Sequence, residues 1–252
     1  VNISTEDGLD LAGFLHTPKT SGIEPFAVVL AHEYYSTHHS WEWLANKLAD
    51  EGITALTFDS RGHGKSSGPK VYETAGIDTK AAIDYLKQQG FDQVVCLGTS
   101  MGGSGCLIAA LEMEVAGIAM LSSPMDIGRL RLLNQQDLQS LTIPKILMIT
   151  EEDRVGPNFV ADFIEMTEII AEPKDIYIYP GDEHAAEMFY FESGDDIQEV
   201  LFNFVTGFLQ STENQSPSNT SFVPSLSAME CTSVGLPGNA CTGVSSNDEW
   251  AP

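Results

Sequence analysis

The order of segments along the chain predicts an α/β protein, a doubly wound and mostly parallel sheet of about eight strands with helices on both faces. Three observations lead there. Short apolar runs rich in Val, Ile and Leu recur, as in Phe26-Ala27-Val28-Val29-Leu30-Ala31 and Ile146-Leu147-Met148-Ile149, and continuous apolarity is what a strand covered on both faces requires. Between the runs lie stretches with apolar residues at helical spacing. One run, Val94-Val95-Cys96-Leu97, breaks at Gly98-Thr99-Ser100-Met101-Gly102 and continues through small residues into Cys106-Leu107-Ile108-Ala109-Ala110-Leu111. Strand, sharp turn and helix in that order form a G-x-S-x-G nucleophile elbow, which pushes Ser100 out of the backbone.

Residues 1–17 alternate polar and apolar around Asp7-Gly8, which predicts a hairpin at one sheet edge. The run at residues 25–31 is a central strand, followed by a polar, aromatic loop over 32–40. A helix over 41–49 has Ser40 as its N-cap and Gly52 as its stop. Residues 53–58 form the next strand, 59–68 a glycine-punctuated loop, and 75–89 a helix ended by Gly90. After the elbow come strands at 115–121 and 143–150, separated by about twenty residues that include a helix. That insert is too short for a large lid. A helix over 158–170, a strand over 175–179 and an amphipathic helix over 197–209 complete a catalytic domain of residues 1–209. From 210 to 252 the chain turns to Ser, Thr, Asn, Pro and Gly, a poorly ordered or linker-like tail.

A serine nucleophile needs a base, and the base needs a carboxylate to fix its tautomer. His184 follows the last strand and is the only histidine after the elbow. Asp153 follows the preceding strand, with Glu151, Glu152 and Asp126 as competing acids. Ser100, Asp153 and His184 all fall at carboxyl ends of parallel strands, the edge where such sheets bind ligands. The Met101 N–H, at a helix N-terminus, is a candidate oxyanion donor. His32, His38, His39 and His63 read as loop histidines satisfied by hydrogen bonds, and the chain calls for no metal or organic cofactor.

The formal net charge of -24, from 12 Lys plus Arg against 36 Asp plus Glu, repels phosphate backbones and excludes nucleic acid as a natural partner. No apolar run reaches membrane-spanning length. Cys96 and Cys106 sit in apolar surroundings and read as packing thiols, whereas Cys231 and Cys241 flank a tail loop that a disulfide would close in an oxidising compartment. That tail pair and a start without Met favour a secreted or periplasmic protein over a cytoplasmic one, and a monomer is expected.

The motifs Asp59-Ser60-Arg61-Gly62-His63-Gly64-Lys65-Ser66 and Gly98-Thr99-Ser100-Met101-Gly102-Gly103 resemble those of the α/β-hydrolase superfamily over residues 1–209. Within it, His32-Glu33-Tyr34-Tyr35, Ser40-Trp41-Glu42-Trp43-Leu44 and Gly52 to Asp59 are similar to lidless bacterial cutinases and polyester hydrolases, with dienelactone-hydrolase-like esterases also near. The resemblance implies a serine esterase acting on small-molecule or polymeric esters. Tyr34 and Met101 would supply the oxyanion amides and line the acyl cleft together with Met125 and Glu33. Three departures stand out. Glu33 replaces a common glycine, Thr99 a His or Trp, and Met125 a tryptophan that clamps aromatic esters, so a small soluble ester is the expected substrate.

Overall fold

The computed structural model describes residues 1–19, 26–125 and 135–213. Among the described residues eight strands form one sheet, β1 (Asn2–Ser4), β2 (Asp10–His16), β3 (Phe26–Ala31), β4 (Thr54–Phe58), β5 (Gln93–Thr99), β6 (Gly117–Leu121), β7 (Lys145–Thr150) and β8 (Lys174–Tyr179). Their spatial order is β1-β2-β4-β3-β5-β6-β7-β8. The expected edge hairpin is present, β1 and β2 pairing antiparallel with Ile3 opposite Leu11, and β2 runs antiparallel to β4. All pairings from β4 to β8 are parallel, with Val29 opposite both Leu56 and Cys96.

Alternation along the strands divides the core in two. On β3, Ala27, Val29 and Ala31 face one cluster while Phe26, Val28 and Leu30 face the other. The first cluster is covered by α2 (Ala75–Gln88), α3 (Met101–Glu112) and α5 (Pro157–Ile169), through residues such as Ala82, Leu86, Leu107 and Phe163. Against the second pack α1 (Glu42–Asp50) and α6 (Gly194–Glu213), the latter through Ile197, Leu201, Phe204 and Val205, at the spacing of one helical face. A short α4 (Gln135–Ser140) precedes β7. No helix among the described residues is long and apolar enough to cross a membrane.

Two local expectations are corrected. Ser40 does not cap α1: a 3-10 turn over His38–Trp41 precedes the helix, Trp41 takes the N-cap position without a side-chain cap, and the Ser40 hydroxyl turns toward Ser36 and Glu33. Cys96 and Cys106 are not free packing thiols but a disulfide. The elbow folds α3 back onto β5, bringing their Cα atoms to 5.7 Å, within bonding range. Asp126, Cys231 and Cys241, part of the β6–β7 insert and most of the tail lie outside the described residues, while α6 continues to Glu213, past the expected boundary at 209.

Arg61 pins the hairpin to the helical layer. Its guanidinium lies 2.7 Å from Asp7 and 2.7 Å from buried Asp78, and the hydrogen bonds from Arg61 draw the Asp7 carboxyl down to about 2.

Candidate active site

Ser100 lies between β5 and α3 with φ of 47°, the left-handed region that a non-glycine residue enters only under strain. The turn closes because its neighbours carry no side chain. A Cβ on Gly98 would strike the Gly102 and Gly103 backbone, and one on Gly102 would strike the Ala31 carbonyl oxygen of β3. Ser100 N–H donates to the Leu121 carbonyl at 2.8 Å, tying the elbow to β6.

The loop after β8 carries His184, and its Nε2 lies 3.0 Å from Ser100 Oγ. On the other side of the ring, Nδ1 lies 3.0 and 2.9 Å from the two oxygens of Asp153, which follows β7. The Asp153 side chain is fully buried and also accepts from the Val155 N–H at 3.0 Å. Glu151 and Glu152, by contrast, are exposed. Phe159 of α5 stands edge-on to the His184 ring with centroids 5.5 Å apart, limiting its rotation. Three groups from three strand ends thus form one hydrogen-bonded chain. Because Asp153 accepts at Nδ1, the ring keeps its proton there and offers a lone pair at Nε2 to the serine hydroxyl.

Facing this chain is the loop after β3. Tyr34 lies in its turn, and Met101 is the first residue of α3, where an N–H has no intrahelical acceptor. Tyr34 and Met125 are partly buried and pack against the core cluster that includes Met101. Glu33 does not project freely into the cleft. Its carboxylate accepts from Thr99 Oγ1 at 2.7 Å and from Ser40 Oγ at 3.1 Å, so the residue before Tyr34 is tied to the residue before Ser100.

Two histidines hold the same loop from behind. His63 spans the Arg61 and Tyr34 carbonyl oxygens at 2.8 and 2.6 Å. His32 Nδ1 donates to the Glu33 carbonyl at 2.6 Å, and its Nε2 accepts from the Ser60 N–H at 3.0 Å. Both are loop histidines with hydrogen-bond partners, as expected, yet their position behind the Glu33–Tyr34 peptide is not visible in the sequence. The only forewarning is the glycine-punctuated loop at 59–68, which must pass close to something.

Burial lowers the His32 pKa to about 4, because a charged imidazole finds little compensation there. The unfolded chain takes up this proton near 6.5 while the folded chain stays neutral to about pH 4. Stability is therefore lost as pH falls through that window, by about 3 kcal/mol for this group alone. Urea unfolding of wild type and His32→Gln at several pH values checks this: the variant starts less stable at neutral pH and has the shallower acid slope. Equal slopes would assign the acid loss to other groups.

A family model of the alpha/beta hydrolase fold matches residues 27–142, which hold β3 to β6 and the elbow. An esterase from Pyrococcus furiosus, Pf2001, superimposes with a TM-score of 0.66 at 21% identity, covering 82% of this chain and 90% of its own. The chain has the α/β-hydrolase fold. Two sequence relatives extend the comparison. The Escherichia coli O157:H7 protein YfhR is 24% identical over 232 residues, 83% of this chain and 81% of its own length. The pig bifunctional epoxide hydrolase 2 is 30% identical over 102 residues, which span only 18% of that protein. Within this α/β-hydrolase fold, Ser100, Asp153 and His184 follow β5, β7 and β8, at the carboxyl edge of the parallel strands.

Proposed function

We propose that this protein is a serine carboxylic-ester hydrolase acting on short to medium acyl esters. The observation that carries the reading is the chain from Ser100 Oγ through His184 to buried Asp153, set on a positive-φ elbow. Ser100 Oγ attacks the ester carbonyl while His184 Nε2 takes its proton, and Asp153 stabilises the imidazolium that forms. The carbonyl oxygen becomes an oxyanion between the Tyr34 and Met101 N–H groups. Collapse expels the alcohol, which receives the proton from His184. A water molecule, deprotonated by the same nitrogen, then attacks the acyl-serine and releases the acid. No metal or organic cofactor takes part in these steps.

The apolar side chains of Tyr34, Met101 and Met125, which share one core cluster, suit an acyl chain, and Tyr35, next to Tyr34, and Val155, two residues after Asp153, are exposed. A polyester or cutin hydrolase is the second reading, favoured by those exposed apolar groups and opposed by Met125 in place of an aromatic clamp. The epoxide hydrolase match fits less well with this chemistry. Serine attack on an epoxide leaves an ether, which has no carbonyl for water to attack, so turnover would stop.

Hydrolysis of p-nitrophenyl esters from acetate to palmitate tests the reading. Activity that peaks at short or medium chains supports it, and release of soluble monomer from a polyester film would move the weight to the second reading. A folded protein that hydrolyses none of them would contradict both and favour a non-catalytic binding role.

Glu33 is a positioning residue in this account. Replacing it with Ala frees both Thr99 and the Tyr34 peptide, and a displacement of about 1 Å is enough to lower kcat about a hundredfold. Steady-state kinetics should show the loss in kcat with KM nearly unchanged, and Glu33→Gln, which keeps an acceptor, should recover part of it. A loss confined to KM would instead place Glu33 against the substrate.

A further inference from the structure

A second group of chemistry-bearing side chains lies where the loop after β3 enters α1. His38, His39 and Glu42 each offer one ligand atom, and these atoms lie within 4.8 Å of one another. Sequence spacing creates the cluster, since Glu42 sits four residues after His38 and three after His39, one turn further on.

The state of His38 is set from behind. Its Nδ1 lies 2.7 Å from Asp59 Oδ1, and the same carboxylate accepts the His38 and Lys65 backbone N–H groups, each at 2.9 Å. A carboxylate that accepts these backbone N–H groups accepts from the ring as well, which puts the His38 proton on Nδ1 and leaves the Nε2 lone pair on the opposite side. That lone pair faces Glu42 Oε1 at 3.8 Å, and the other Glu42 oxygen is 3.0 Å from His39 Nδ1. A lone pair turned toward an anion repels it unless a cation lies between them.

We propose that His38 Nε2, His39 Nδ1 and the Glu42 carboxylate form a site for a divalent transition-metal ion, with Zn²⁺ the best-fitting ion and Asp59 the carboxylate that orients His38. Two imidazoles and one carboxylate are a common ligand set for zinc, whereas Mg²⁺ and Ca²⁺ take oxygen ligands. Asp59 behind a ligating imidazole reproduces the carboxylate–histidine–metal arrangement that fixes tautomer and ring direction. His38 is held still, buried and stacked on Phe14 with centroids 3.5 Å apart. The side chains that must close onto the ion have room to move, since His39 is 67% and Glu42 43% exposed. A fourth position is left to water. The site shares no residue with the Ser100 chain, but it grips the end of the loop that carries Tyr34, so the ion would brace that loop.

Calorimetric titration of the chelator-treated full chain with Zn²⁺, in excess Mg²⁺ to mask the acidic surface, tests this. One ion per chain should bind to wild type, and His39→Ala and Glu42→Gln should each weaken binding at least about tenfold. His39 is mostly exposed and Glu42 close to half exposed, so circular dichroism should show both variants folded. Co²⁺ gives a second reading, with ligand-field absorption bands in wild type that the double variant His39→Ala/Glu42→Gln lacks. Binding that survives unchanged in the double variant would place the zinc elsewhere, for example on Cys231 and Cys241, and overturn the proposal. No uptake by wild type would overturn it too.

Discussion

Replacing Ser100 with alanine is expected to lower kcat on a p-nitrophenyl ester by four to six decades, about 5 to 8 kcal/mol of transition-state stabilisation. The size follows from the geometry. Once the hydroxyl 3.0 Å from His184 Nε2 is gone, no acyl-enzyme can form and the base has only water to activate. Residual rate enhancement would come from binding and from the proposed oxyanion donors, the Tyr34 and Met101 amides, which the substitution leaves in place. Stability should change little, because alanine fits the cavity and the positive φ is already paid for by the surrounding glycines' close packing. Chromatographically pure variant should be compared with wild type in full kinetic profiles. Activity within tenfold of wild type would remove Ser100 from the chemistry.

The second large effect is at Asp153. Asparagine has nearly the same shape but offers an N–H where the carboxylate offered an acceptor, so the imidazole turns its lone pair to Nδ1 and its proton to Nε2. In that tautomer His184 cannot accept the serine proton, and kcat should fall about 10⁴-fold. The exposed neighbours provide the control: Glu151→Gln and Glu152→Gln should stay within about twofold of wild type, since surface positions contribute little. Kinetics on the three variants under one set of conditions decide it. A larger loss at Glu151 or Glu152 than at Asp153 would reassign the acid.

Much of this arrangement is legible in the sequence because its physical causes are local. A strand covered on both faces must be continuously apolar, which exposes β3, β5, β6 and β7, and the parallel order then places Ser100, Asp153 and His184 on one edge. Less visible are the contacts that need two distant segments to meet. Glu33 and Thr99 stand 66 positions apart, and nothing near either one announces their hydrogen bond. The Cys96–Cys106 disulfide depends on how far α3 folds back over β5, while each cysteine alone has the surroundings of an ordinary buried thiol. Ser40 has the residue type of an N-cap, but the 3-10 turn ahead of α1 rotates its hydroxyl toward Glu33 instead. His38 reads as a plain loop histidine until Asp59, 21 positions later, comes to lie behind its ring.

The most direct test of the central claim is covalent. A fluorophosphonate reacts with a serine only where a base activates it and oxyanion donors receive the phosphoryl oxygen, so it reads the nucleophile without any assumption about substrate. Intact mass spectrometry of the treated chain should show a single adduct, and peptide mapping should locate it on Ser100, with no adduct on Ser100→Ala. A folded wild-type chain that stays unlabelled, or that carries the adduct on another serine, would contradict the account.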